Sequence, residues 1–321
     1  MKKQIKIVAL VATLIIAVST IVFVGCKKED LVNQNNTEKK VEKGRKRKTN
    51  NFSLVDNNPF SFVGEYHNQG LDYMINNIDE NVFLSLFSED EAIFKDEVFQ
   101  KTKIFSSTID WIREVEFEDE DLLFESMNDE ISIDLSEFLS QPQIEMWNNL
   151  TTIIFEDDEE KSVYQVEELC YDFNNEVSTI DDEMQQTILY LASAVLLSSY
   201  SYWYNEFASK DNSLWFRYID EQFVAENLSF GKQGEDIVKA DAEGALGGAV
   251  MGAVKGAVGG SVVPGAGTLT GGIAGALVGA GEGALVASTV KAGINIGKTV
   301  RHWFRGVFET PNARVTECTT R

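Results

Sequence analysis

Proline and histidine are almost missing from this chain: its 321 residues include four of the first and two of the second. So few prolines leave long stretches free to run as unbroken helix. The three cysteines form no CxxC pair and no cluster with histidine, which in practice excludes a structural zinc site. No metal or cofactor is expected. Basic residues are missing where most of the chain lies. Residues 51–235 hold eight Lys/Arg against 41 Asp/Glu, and the formal net charge is −23. A surface that acidic repels phosphate backbones and anionic head groups, so nucleic acid is excluded as a partner.

A nucleophile motif is missing as well. The one segment that invites a catalytic reading is Gly64–Asp72, where His67 has Glu65 and Asp72 as neighbours. Histidine is the usual general base near neutral pH. Here no second histidine and no Ser or Cys motif accompanies it, so the expectation is a cap or a satisfied histidine and no catalytic residue. The acidic runs Glu116–Asp121 and Glu156–Glu160 lack the alternating ligands, central glycine and distal glutamate of a calcium loop, and read as solvated faces. The chain is not expected to be an enzyme.

What is present begins at the N-terminus. Lys2, Lys3 and Lys6 precede a charge-free, mainly apolar run, Ile7–Val24, the pattern of a secretory signal over residues 1–25. The run ends in Phe23-Val24-Gly25-Cys26, which resembles the lipobox of bacterial lipoproteins, with Phe23 where leucine is usual. The resemblance implies that Cys26 is lipidated and becomes the first mature residue. The following Lys27-Lys28-Glu29-Asp30 resembles the lysine-plus-acid export tag of Bacteroidota lipoproteins; a plain linker start reads the same way. Together these imply a cell-envelope, outer-membrane lipoprotein, exposed at the surface if the tag is real. Cys170 and Cys318 remain, either paired in an oxidising envelope or as free thiols.

Residues 26–57 carry the lipidated cysteine and a polar linker with the basic run Glu42–Lys48. They are expected to be disordered. Residues 58–235 read as an acidic α-helical domain. Ser88–Glu91 forms a capping box ahead of Phe94, Val98, Phe105, Ile109 and Ile112 on one apolar face. Ser140 with Pro142 opens a second helix carrying Ile144, Trp147 and Leu150. Ser178–Asp182 opens a third. In it Thr187–Tyr204 is eighteen residues without a formal charge, either a central buried helix or a membrane span. Ile131–Leu135 alternates and fits a short strand at most.

Ten glycines dominate residues 236–297. Gly244, Gly248, Gly252, Gly256 and Gly260 stand four apart, and so do Gly267, Gly271, Gly275, Gly279 and Gly283. Glycine costs a water-exposed helix roughly 1 kcal/mol per residue against alanine. Between membrane helices the same spacing clears one face of side chains, so two backbones can meet. With the turn signal Pro264-Gly265 between the series, the expectation is a helical hairpin with arms 239–262 and 267–291. Each arm is about 35 Å long, enough to cross a bilayer core of about 30 Å. Counted from the turn, Lys255 faces about residue 274 and Glu282 about residue 247. Each is an intramembrane charge that must face a helix or a watery lumen. Asp241, Glu243 and Lys291 form a charged collar at the open end. Residues 298–321 are a basic aromatic tail, suited either to a membrane interface or to packing on the acidic domain.

This segment resembles the glycine-zipper families, both the outer-membrane lipoproteins and the bacteriocins that permeabilise membranes. The resemblance implies a mainly α protein whose hairpin inserts into or assembles in a membrane, with membrane lipid and further copies of itself as partners. The alternative is a structural lipoprotein whose hairpin anchors or oligomerises it without toxicity. The protein partner is left open. If Cys26 is the lipidation site, Cys26→Ser abolishes incorporation of labelled palmitate in growing cells and leaves an unprocessed precursor on a gel.

Overall fold

The computed structural model describes residues 57–88, 91–109, 134–156, 160–219, 221–260 and 266–308. They are mainly helical, and no strand lies among them. The α-helices are α1 (Ser61–Asn77), α2 (Glu80–Ser85), α3 (Glu91–Ser106), α4 (Gln141–Phe155), α5 (Val163–Val177), α6 (Glu183–Ala208), α7 (Glu221–Asn227), α8 (Gly231–Gly260) and α9 (Ala266–Phe308). Cys26, Cys318 and the turn residues 261–265 lie outside the described residues.

The helix that the others surround is α6. Asp182 caps it, its carboxylate accepting from the Met184 and Gln185 N–H groups at 3.0 Å each. That satisfies two of the donors a helix start leaves open. Every side chain from Thr187 to Tyr200 is buried. A helix apolar all round belongs in a core, so the charge-free run is the central helix of the fold. The pair α8–α9 packs along it, with α1 and α5 on its remaining faces.

Glycine brings α1 close. A Cβ on Gly64 would lie 2.5 Å from the Ala194 carbonyl oxygen of α6. Asn58 and Asn68 then donate to the carbonyls of Tyr190 and Ser198 at 2.8 and 3.1 Å. At the other end of α6, aromatic rings fill the space. Trp203 and Trp215 are both fully buried with centroids 5.0 Å apart, and Trp215 Nε1 donates to the Tyr202 hydroxyl at 3.0 Å.

Several expectations change. The start of α4 stands: the Ser140 N–H donates to Gln143 Oε1 at 2.7 Å, and Trp147 and Leu150 are buried. The helix through Phe94, Val98 and Phe105 ends at Ser106, before Ile109. Hydroxyls stop it: Ser107 donates to the Ile104 carbonyl at 2.7 Å and Thr108 to that of Phe105 at 2.6 Å. The capping box expected at Ser88–Glu91 includes residues 89–90, which lie outside the described residues, and Leu135 opens a short turn in place of a strand. Ile112 and residues 131–133 lie outside the described residues. The hairpin arms are longer than the glycine repeat marks, because Ile237, Val238, Ala292, Ile296 and Val300 extend their buried faces. The basic aromatic segment continues α9 as far as Phe308, and Arg301 reaches the Leu86 carbonyl and, at 3.6 Å, Glu91 of α3.

Truncating Trp215 removes one of the largest buried side chains. Trp215→Ala is expected to cost about 3–5 kcal/mol in urea unfolding. Tyr164→Ala, at a residue 68% exposed, should stay within about 0.5 kcal/mol of wild type.

Candidate functional site

The hairpin meets itself through its glycines. A Cβ on Gly248 would fall 2.0 Å from the Gly279 carbonyl oxygen, one on Gly252 2.0 Å from that of Gly275, and one on Gly256 1.9 Å from that of Gly271. Gly244 sits against Gly283 in the same way, at 2.7 Å. No side chain fits between the arms, so the helix penalty of these glycines is offset by direct contact of two backbones. Gly260 and Gly267 stand near the helix ends that flank residues 261–265.

This register puts Lys255 level with Gly272 and Glu282 level with Ala245, two residues from the count made from the turn. The glycine pairs, and not the position of Pro264, set the alignment. Lys255 and Glu282 are both half-buried. The charge of Glu282 adds to burial in pushing the Tyr66 hydroxyl upward. Burial falls towards the tip. Ala242 to Val250 and Ala276 to Val286 hold most of the hairpin's buried side chains, whereas Val254 and Leu269 are 38% and 43% exposed. Leu269–His302 of α9 is long and apolar enough to cross a membrane, and 67% of that apolar window is buried inside the fold.

One turn before Gly244 the arm carries Asp241, which is fully buried. It is not part of an exposed collar. Glu243 does face solvent, because it lies about 200° away around the helix. Three donors converge on Asp241 Oδ2: the Ser199 hydroxyl, the Ser288 hydroxyl at 2.8 Å and Trp203 Nε1 at 3.2 Å. Trp203 Nε1 lies at the same distance from Ser288 Oγ, 3.2 Å. His67 Nε2 lies 3.6 Å from the same carboxylate oxygen, with both side chains at 0% exposure. His67 Nδ1 pairs with Asn68 Oδ1 at 3.1 Å. His67 Nε2 and Asp241 Oδ1 make no hydrogen bond.

This cluster draws one residue or more from each of four helices: His67 from α1, Ser199 and Trp203 from α6, Asp241 from α8 and Ser288 from α9. Burial holds the His67 imidazole down to about 4, against the opposing pull of Asn68. Burial pushes the Asp241 carboxyl well above the usual carboxylate range, against the pull of Ser199, Ser288 and Trp203. The order of groups is Ser–Asp–His, with the acid in the middle. A hydrolytic triad needs the imidazole between acid and hydroxyl and an open path for substrate. This cluster has neither, so its chemistry is that of an internal polar tie.

Sequence reasoning had His67 beside Glu65 and Asp72. The structure leaves Glu65 exposed and gives Asp72 to the Tyr202 hydroxyl at 3.1 Å. The sequence had set Asp241 with Glu243 and Lys291 in a charged collar, and nothing local marked it as the buried one. Cys170 is fully buried, and burial pushes its thiol up to about 12, far from a reactive thiolate. No group of three or more His, Cys, Asp or Glu side chains able to hold a metal lies among the described residues.

Set beside known proteins, the chain matches no family model, no curated protein and no solved structure. The site therefore has to be read from its own geometry.

The contact between backbones makes a sharp test. Gly252→Ala places a methyl group on a carbonyl that cannot swing aside, and is expected to cost about 2–3 kcal/mol in urea unfolding. Gly231→Ala, whose Cβ would meet only Ser229 Oγ at 3.7 Å, should change stability by less than about 1 kcal/mol, and in the stabilising direction.

Proposed function

We propose that this chain is an exported lipoprotein that carries a membrane-inserting hairpin folded into its own helical domain, and that the inserted hairpin permeabilises a target membrane in the manner of a bacteriocin. The observation that carries the reading is the closed glycine interface between α8 and α9. Between Gly244 and Gly283 the two arms hold two formal charges, Lys255 and Glu282. Each α-helix satisfies its own backbone N–H and C=O groups, so two helices already packed face to face can move as a pair from a protein core into lipid without exposing polar backbone. Lone arms made mostly of glycine and alanine would be weak anchors, so the arms insert as a pair. Their glycine faces are spent on each other. Assembly of several copies then uses the outer faces of the hairpin, where Lys255 and Glu282 line a watery lumen.

Two features favour insertion over a purely structural role. A protein held by a lipid on Cys26 gains little from a second inert anchor. The exposed Val254 and Leu269 also give the tip an apolar end that is not covered by α6. The structural reading draws on the burial of most of α9, since the core helix of a soluble protein meets the same test of length and composition.

Dye release from anionic liposomes separates the readings. Leakage caused by the mature protein and lost in Gly252→Leu/Gly275→Leu is the expected result. Stable binding with α9 protected from protease but no leakage would identify a structural lipoprotein. No binding, even in urea concentrations that loosen the domain, would make the hairpin simple core packing and end the membrane reading.

A further inference from the structure

We propose that His67 and Asp241 form a proton-held latch: a single proton, carried by one or the other of the pair, keeps the base of the hairpin docked in the domain, and loss of that proton releases α8 and α9 from α1 and α6. The proposal rests on the reading of the hairpin as the part that moves. It stands on where the cluster sits. Asp241 and Ser288 belong to the two arms, one to each, while His67, Ser199 and Trp203 belong to the helices the arms pack against. The hydrogen bonds from Ser199 and Trp203 of α6 to the arms end on one carboxylate oxygen or on the Ser288 hydroxyl beside it.

A buried acid and a buried base 3.6 Å apart have two arrangements of equal proton count. Either both are neutral, or the proton has moved and they form an ion pair. Each leaves the dry site without net charge, which a low-dielectric interior requires. Removing the proton leaves a bare carboxylate. Three hydrogen bonds soften that cost but do not remove it, which is why burial outweighs them in setting the acid's affinity for its proton.

The sign of the pH dependence follows. In the unfolded chain the aspartate gives up its proton above about 3.9 and the histidine above about 6.5. In the folded chain His67 declines a proton until about 4, and Asp241 keeps one far beyond the usual carboxylate range. Folded and unfolded pairs thus hold about the same number of protons from pH 4 to 6.5. Above 6.5 the unfolded pair is empty while the folded pair still holds one. The stability that the pair contributes is therefore steady in mild acid and falls as pH rises from about 6.5 towards the raised value of Asp241.

Several other charges on the four helices have partners or directions of their own. Glu65 of α1 and Lys239 and Glu243 of α8 are exposed. Asp72 is held by Tyr202, Glu206 of α6 accepts from the Ser213 hydroxyl, and Glu282 of α9 acts on Tyr66. Lys291 of α9 is half-buried. None of them is among the causes that set His67 or Asp241, which are burial and neutral hydrogen bonds.

The test compares the mature protein with Asp241→Asn, which keeps the shape and cannot lose a proton. Urea unfolding of both is followed from pH 5 to 9, so the background from the many surface carboxylates cancels in the difference. The wild-type unfolding constant is expected to rise at least tenfold more than that of the variant between pH 6.5 and 9. Amide exchange across 242–290, corrected for intrinsic rates, should speed up over the same range in wild type alone, while exchange in α5 should not. Parallel pH profiles for the two proteins, or acceleration spread evenly over the fold, would overturn the proposal. Should Asp241→Asn fail to fold, His67→Gln decides. It removes the histidine's proton from the unfolded chain, so the loss of stability should begin near pH 4 to 5 and not near 6.5, and an onset unchanged from wild type would overturn the latch. Vesicle leakage plays no part in these readouts, so a failure of the membrane reading and a failure of the latch are told apart.

Discussion

Two helix backbones touch along α8 and α9, and the rest of the fold is arranged around that contact. Direct approach is possible only where neither chain has a Cβ, so the glycines that face each other fix the register: Gly244 with Gly283, Gly248 with Gly279, Gly252 with Gly275, Gly256 with Gly271. Once the register is set, every other residue of the arms has its place. Ala245, Ala249 and Val250 are turned inward, as are Ala276, Ala280 and Ala284. Asp241 arrives beside Ser288. The central helix α6 then has a smooth, narrow surface to lie along, and its own small residues let neighbours come near from different sides, Ala194 and Ser198 facing α1 and Ser199 facing the hairpin.

The same contact explains the mixture of very small and very large side chains. Where arms and helices are separated by little more than backbone, only glycine, alanine and serine fit. Where helices splay apart, space has to be filled, and phenylalanine, tyrosine and tryptophan fill it. Trp203 stands at the border of the two regimes. Its ring packs with Trp215 and Tyr202, and its Nε1 reaches the Asp241–Ser288 pair. A polar tie at that border specifies how far along α6 the hairpin sits, which apolar contacts between smooth surfaces do poorly.

Much of the architecture was legible in the sequence for local reasons. Ser178–Asp182 gave the start of a helix whose charge-free run was either buried or membrane-spanning, Ser140 with Pro142 gave a helix start, and the glycine spacing gave a hairpin. Each signal is read within a few turns of chain. The end of α3 was missed because the apolar period continues to Ile109, while the hydroxyls of Ser107 and Thr108 compete for the last carbonyls. The polar cluster was missed for a different reason. His67, Ser199, Asp241 and Ser288 lie on four helices, and their meeting is a property of packing; His67 looked alone because its partner comes from the hairpin. Asp241 was equally hidden, because Glu243 two residues on made it look like one member of an exposed charged collar.

The glycine stripe has a mechanical consequence. Residues four apart on a helix of 3.6 residues per turn drift about 40° around its axis at each step. Contact is kept from Gly244 to Gly256 along α8 and from Gly271 to Gly283 along α9, so the arms follow one another's drift and do not lie side by side as straight rods. Shifting α8 so that the next row of residues faces α9 would drive Ala245, Ala249, Ala253 and Ala257 into carbonyl oxygens at all four contacts together. The pair resists shear far more than it resists being carried away whole. It behaves as a stiff beam, and whatever moves it moves both helices in one piece.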